Sequence, residues 1–362
     1  MLQKKTEKWF FEGEKIDIVS SYKYLGMYFT STMSWELTKK SLCISADKAL
    51  FIVYRFIKLY NVSMKQIFCI FDRMIVPILT YGAEIWGGKM SKCIESVHIK
   101  FCRRIMKLRN NTPESVVLRE LGRYPLMVQY YKKFIAYWLK ILYMDDTRYP
   151  KRLYLMLLQL ENAGKIKGNW ASDVKSMLYR YGFHYVWLHQ GVGNHVLFLK
   201  EFVQRVQDNY IQEWQSSISS YSKLDFYCRF KIIFEPERYI EVIKNKQYMQ
   251  YLCKLRTSSH CLEIEYGRFK GIPREERVCL YCQLDNRFCI ENEMHFIENC
   301  TLYDDIRGNC NILKHIRYYG NVVNMLRYGN DIVVNDLAKF AYLAFKERKR
   351  FMESVTCEHS NE

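Results

Sequence analysis

What this chain lacks narrows it first. No run of about eighteen apolar residues occurs, because Lys, Arg or Asp interrupts every apolar stretch, so no membrane-spanning helix and no membrane partner are expected. The lysines of Met1-Leu2-Gln3-Lys4-Lys5 have no apolar stretch behind them, which speaks against a secretory leader. There is no internal repeat and no low-complexity tract. The glycines between residues 82 and 88 lack the Lys-Ser/Thr of a phosphate loop, and no serine stands in a nucleophile elbow, so no small-molecule substrate is expected. His184 and His189 flank Trp187 without a companion series of cysteines or acids and read as packing or turn residues.

Acidic residues are also in short supply. Asp and Glu total 38 against 55 Lys and Arg, a net charge of +17, which points to a polyanionic partner. The chain is otherwise an ordinary folding sequence: 362 residues, 49% of them hydrophobic and 16% aromatic, are enough for a sizeable core and two or three domains. An intracellular location, in nucleus or cytoplasm, is expected. Thiols stay reduced there, so most of the 13 cysteines read as small buried hydrophobes and not as disulfides.

Four ligand-type residues stand apart from that background. Cys279, Cys282, His295 and Cys300 are spaced C-x2-C-x12-H-x4-C, three thiols and an imidazole in the order and number of a closed tetrahedral zinc site, which makes structure and not catalysis. Cys279-Leu280-Tyr281-Cys282 is a short knuckle, and His295 and Cys300 sit at the spacing of a first helical turn. Three thiolates on one Zn2+ carry a net charge of about −1. Lys270, Arg274, Arg277, Arg287 and Arg307 are expected to surround them as a positive rim that favours phosphate. Chance spacing among so many cysteines is the competing reading, with Cys289, His260, Cys261 and Cys310 as nearby substitutes and Cys289 the strongest of them.

The periodicity changes along the chain. Trp9-Phe10-Phe11, a turn at Glu12-Gly13-Glu14 and Ile16-Asp17-Ile18-Val19 suggest a hairpin, and residues 22–29 one further short strand. Helical spacing then takes over at residues 36–60 (Leu42, Ala46, Ala49, Leu50, Val53, Phe56, Ile57), 63–75 and 90–108. The last of these is amphipathic and basic, with Lys92, Lys100, Arg103, Arg104 and Lys107 and with Arg109 just beyond. Residues 92–133 hold ten Lys and Arg against three acids, a net of +7 and the densest basic block, although a solvated helix face can look the same. Aromatic-rich helices follow from residue 125 to about 251, where core packing outweighs base stacking as the reading of the aromatics. Residues 265–268 and 271–273 read as a linker, and a last helix at 334–351 ends in Lys346, Arg348, Lys349 and Arg350.

Tyr143-Met144-Asp145-Asp146 has the letters of the polymerase motif in which adjacent carboxylates hold magnesium. Such a pair needs a tight hairpin between apolar strands. Here a helical pattern precedes it and a polar, broken Thr147-Arg148-Tyr149-Pro150 follows, so a helix-ending loop is expected.

Tyr22-Lys23-Tyr24-Leu25-Gly26, Pro77-Ile78-Leu79-Thr80-Tyr81-Gly82-Ala83-Glu84-Ile85-Trp86-Gly87 and Phe101-Cys102-Arg103-Arg104-Ile105 resemble the part just beyond the palm in non-LTR (LINE-type) retrotransposon reverse transcriptases. Glu120-Leu121-Gly122-Arg123-Tyr124-Pro125, Leu255-Arg256, Ile264-Glu265-Tyr266-Gly267-Arg268 and the cysteine-histidine module, with Glu293 two before His295, resemble the C-terminal region of the same polyproteins, in the same order. The resemblance covers nearly the whole chain. It implies that the fingers and catalytic palm belong before residue 1, that the strands near residues 22–29 complete the palm or primer-grip edge, that residues 36–108 form a thumb tracking a template-primer backbone, and that the zinc knuckle adds RNA or DNA contacts.

The expectation is a mainly α-helical (α+β) protein: a β element at 1–35, a basic helical thumb-like domain at 36–124, an aromatic-rich helical linker domain at 125–260, a Cys3His knuckle at 261–310 and a helical tail at 311–362. It would bind RNA or DNA through phosphate contacts at Lys100, Arg103, Arg104, Lys107, Arg109 and Arg123, with structural Zn2+ and no catalysis of its own. The alternatives are RNA-directed DNA polymerase activity, through an upstream palm or through Asp145 and Asp146, and a zinc-containing protein-interaction module.

Overall fold

The computed structural model describes residues 9–164, 168–218 and 224–358. They are mainly helical, with two small antiparallel hairpins at the N-terminal end and a Cys3His cluster toward the C-terminus. No helix among them is long and apolar enough to cross a membrane. The chain divides into two compact units, each assembled from three separate stretches: 1–56, 71–94 and 129–193 form the first, and 57–70, 95–128 and 194–362 the second.

In the first unit, β1 (Trp9–Phe11) pairs with β2 (Glu14–Ile16), and β3 (Ser21–Tyr24) with β4 (Met27–Thr30). Both turns have two residues at positive φ, Glu12-Gly13 at 51° and 85° and Leu25-Gly26 at 46° and 82°, the geometry whose twist matches paired strands. Residues 22–29 are therefore a hairpin and not one strand: Leu25-Gly26, inside a run of apolar letters, is the turn. The tyrosine hydroxyl of Tyr81 donates to the Leu25 carbonyl at 2.8 Å. A Cβ on Gly82, whose φ is 66°, would fall 2.5 Å from the Met27 sulfur, so only glycine lets this turn close on β4. Thr38 fixes the helix Glu36–Leu59 to the same strand by accepting from the Tyr28 amide and donating to its carbonyl.

That helix buries Leu42, Ala46, Leu50 and Val53 at three- and four-residue spacing, as its pattern predicts, but leaves Phe56 exposed. The helical stretch read at 63–75 is an α-helix over Met64–Ile70 that widens into a π turn at Phe71–Ile75. Pro77 supplies the reason, since it has no N–H for the carbonyl four residues back. Aromatic residues of 129–193 form the core. Trp138 and Trp187 stack with ring centres 6.2 Å apart, Phe134 lies 5.2 Å from Trp170, and the Trp138 Nε1 donates to the Tyr154 hydroxyl at 3.0 Å.

The second unit is organised around buried charge. Arg256, 3% exposed, donates from Nε to Glu120 at 2.6 Å, pairs through Nη2 with Glu237 at 2.6 Å and donates from Nη1 to the Leu326 carbonyl at 3.1 Å. Its guanidinium also faces the rings of Phe230 and Tyr239. Gly122 makes the approach possible: its φ is 59°, and a Cβ there would lie 2.3 Å from Pro236, across the bridge that pairs Leu121 with Pro236. Arg119 stacks 3.2 Å from the Trp214 ring centre.

The last helix, Asp331–Glu358, is longer than its periodicity suggests and packs on the helix Lys246–Arg256 through Tyr342 and Phe345 against Tyr248 and Tyr251. Arg348, read as part of a basic end, turns inward and holds Glu291 with two bonds of 2.7 Å. Residues 265–268 are not a linker but part of the helix Glu263–Phe269, where Gly267 is needed because a Cβ would meet the Arg277 side chain at 2.7 Å.

Arg256→Met leaves Glu120 and Glu237 without their buried cation and is expected to cost about 3–5 kcal/mol in denaturant unfolding. A loss below about 1 kcal/mol would show that the second unit does not depend on this arginine.

Candidate metal centre

An antiparallel bridge between Val278 and Ile290 closes the loop that carries the first two ligands, and the Cys279 amide donates to the Cys289 carbonyl at 2.8 Å. The chain turns through the short helix Leu280–Leu284, then through Asn286 at φ 56°, and the Arg287 amide returns to the Cys282 carbonyl at 3.0 Å. The second pair lies on the π turn His295–Asn299. Its first amide is capped by the Asn292 Oδ1 at 2.8 Å, and the Cys300 amide donates to the His295 carbonyl at 2.9 Å. Phe296 anchors this turn in the core, 4.5 Å from Phe345 and 4.8 Å from Tyr303.

The result brings together the four residues expected from the spacing. Cys279, Cys282, His295 and Cys300 are all buried, and their ligand atoms lie within 4.8 Å of one another. The Cys300 sulfur is 3.8 Å from that of Cys279 and 3.9 Å from that of Cys282, and the Cys282 sulfur is 3.5 Å from the His295 Nε2. A tetrahedron with metal bonds of about 2.3 Å to sulfur and 2.0 Å to nitrogen has edges of about 3.8 Å between sulfurs and 3.5 Å between sulfur and nitrogen. The spacing thus fits one small ion at the centre, and it is far too wide for disulfides. It is among the described residues the one group of three or more such side chains that could hold a metal.

The protonation of the cluster shows what the ion must supply. A hydrogen bond from Cys300 holds the Cys279 thiol down to about 4, and the same bond, with burial, pushes Cys300 upward. Burial and the Cys279 charge push Cys282 up to about 11. Thiolates this close disfavour one another's ionisation, and a cation among them would favour ionisation of all three.

The substitutes have other roles. The thiol of Cys289 stays outside the quartet while its carbonyl helps close the loop. His260 Nε2 meets Glu293 at 3.0 Å, where Ser258 also donates; burial raises that carboxyl, but these two bonds outweigh it and hold it below the ordinary range. Cys261 is exposed, and Cys310 is a buried thiol whose pKa burial raises. The expected rim is only partly outward. Lys270, Arg274 and Arg287 are exposed, whereas Arg277 donates to the carbonyls of Ile272 and Ile264, and the buried Arg307 donates to those of Ile297 and Cys300, both at 2.8 Å. Asn292 and the bracing role of Arg307 are functional details that the spacing alone does not reveal.

The basic candidates divide in the same way. Lys100, Arg104, Lys107 and Arg109 are exposed. Lys107 and Arg109 lie close enough to Lys254 to lower its pKa, after the larger effect of burial. Arg103 is half-buried and donates to the Thr112 carbonyl. Arg123 is half-buried as well, 4.9 Å from the Phe68 ring centre, and donates to the His98 Nε2 at 3.0 Å; burial and this guanidinium keep His98 well below its ordinary value, so the imidazole accepts as a neutral ring.

Asp145 and Asp146 are exposed in the loop after the helix Met127–Leu142, and the Asp145 carboxylate accepts from both the amide and the hydroxyl of Thr147. These bonds hold its pKa low. Neither aspartate belongs to a group of three metal-ligand side chains. No family model, curated protein or solved structure matches the chain.

Cys282→Ser removes one corner of the tetrahedron. Elemental analysis of the purified protein is expected to show lower metal content, and thermal unfolding a lower melting temperature; unchanged values of both would refute the site.

Proposed function

We propose that this chain binds RNA or DNA as the post-palm, thumb-to-knuckle part of a LINE-type reverse transcriptase, with a structural zinc ion in the Cys3His cluster. The observation that carries this reading is the buried quartet itself, because its three sulfurs and one imidazole at tetrahedral spacing suit zinc, a borderline-soft ion without geometric preference of its own. Such an ion would ionise the thiols and cross-link residues 279–282 to 295–300, a closed site with no open position for substrate.

Nucleic acid is the partner best supported by the surface beside it. The net charge of +17 provides a long-range attraction for phosphate. Lys100, Arg104, Lys107 and Arg109 offer exposed cations for the backbone, and around the knuckle Arg287 stands next to Phe288, 71% exposed, a pairing suited to phosphate contact and base stacking. Segments that resemble the retrotransposon enzymes also meet in space: Tyr81-Gly82 closes on the Leu25-Gly26 turn and Met27, and Glu120 bonds to Arg256. Polymerase chemistry at Asp145 and Asp146 has no such support, since the pair stands in a loop without a third ligand.

Titration with labelled single-stranded RNA and DNA at several salt concentrations tests the reading. If four exposed cations each neutralise a phosphate, affinity should fall about 50-fold between about 50 and 200 mM salt. Joint replacement of Lys100, Arg104, Lys107 and Arg109 by Gln should make the log–log slope shallower by about 3. Absence of binding, or binding indifferent to salt, would overturn it.

A further inference from the structure

A cavity of about 310 Å³ opens in the second unit beside the metal ligands. Phe226, Ile264 and Met294 give its lining an apolar part, and four arginines line it too, Arg229, Arg268, Arg274 and Arg277. Asn292, the residue that caps the His295 turn, also lines it.

The carboxylates present offset only part of this charge. Asp225 is paired with Arg229 and Glu265 with Arg268, while Glu293 is engaged by His260 and Ser258. Arg274 is exposed and has no side-chain partner among the described residues. Arg277 spends Nε and Nη1 on the carbonyls of Ile272 and Ile264, which fixes its plane but neutralises nothing. Arg274 and Arg277 thus keep charge that no carboxylate pairs with, and an anion in the cavity would neutralise it. Guanidinium groups bind tetrahedral oxyanions such as phosphate through paired N–H bonds.

We infer that this cavity seats one phosphodiester group of a bound strand, with Arg274 and Arg277 on the phosphate oxygens and the apolar lining residues against the attached sugar. The inference rests on the nucleic-acid reading above and locates one contact of it. Because Asn292, Glu293 and Met294 line the cavity and lead directly into His295, a metal ion held by the quartet would steady this part of the lining.

The experiment is the binding of a short single-stranded oligonucleotide to the full chain carrying Arg274→Gln, compared with wild type and with Arg317→Gln, an exposed arginine outside the cavity. Arg274→Gln is expected to weaken binding about threefold or more at 0.1 M salt and to reduce the salt slope by about 0.7–0.9, with metal content unchanged, while Arg317→Gln leaves both near wild type. If wild type binds and Arg274→Gln changes neither affinity nor slope, or if Arg317→Gln changes them equally, the cavity is not a phosphate site and the nucleic-acid reading stands without it. If wild type binds no strand, both fall together.

Discussion

Burying charge of one sign requires charge of the other, and the second unit is arranged around that requirement. Three sulfurs and an imidazole packed within one small volume can all act as ligands only if a cation takes the place of the thiol protons. The same demand recurs in purely organic form. Arg256 lies between Glu120 and Glu237, and Arg348 between Glu291 and Glu263. Glu95, in the basic helix Lys92–Met106, is buried and accepts from the amides of Leu126 and Met127. Arg307 meets backbone carbonyls on the ligand turn instead of a ligand in solution. Arg256 and Arg348 in particular tie together stretches far apart in sequence, so the architecture follows from charge neutralisation as well as from the aromatic core.

The excess of arginine and lysine therefore has two fates. Arg256, Arg307 and Arg348 are internal struts whose planar forks satisfy several acceptors at once, a task to which lysine is poorly suited, and Arg119 is held inside against the Trp214 ring. Lys100, Arg104, Lys107, Arg109, Lys270, Arg274 and Arg287 remain at the surface. A net charge counted from composition mixes the two. What matters for a partner is the second group and its concentration in the unit that also carries the metal ligands.

Much of this was legible in the sequence. The quartet could be named from spacing because ligand geometry restricts both residue type and interval, and the helix 36–59 from its periodic apolar face. The first hairpin showed itself through Glu12-Gly13, where glycine marks the turn. The second was hidden because Leu25 occupies a left-handed turn position in a run of apolar letters, and the helix 263–269 because Gly267 looks like a hinge until the Arg277 side chain is seen lying against it. Inward-facing arginines are the least readable class: nothing in the letters distinguishes Arg307, which braces the turn, from Arg287, which faces water. Local patterns report local structure, whereas these roles are decided by partners up to 136 positions away.

That separation has a consequence in time. Glu120 and Arg256 are 136 residues apart, and Arg119 must likewise await Trp214. At ribosomal elongation rates the carboxylate is synthesised on the order of ten seconds before its guanidinium. Until then the earlier stretches of the second unit have no neutralising partner to enclose and stay hydrated, while the intervening residues 129–193 of the first unit are already complete. Assembly of the second unit is in this sense deferred: its most deeply buried ion pair waits for Arg256, and the helix Asp331–Glu358 that packs on Lys246–Arg256 follows later still.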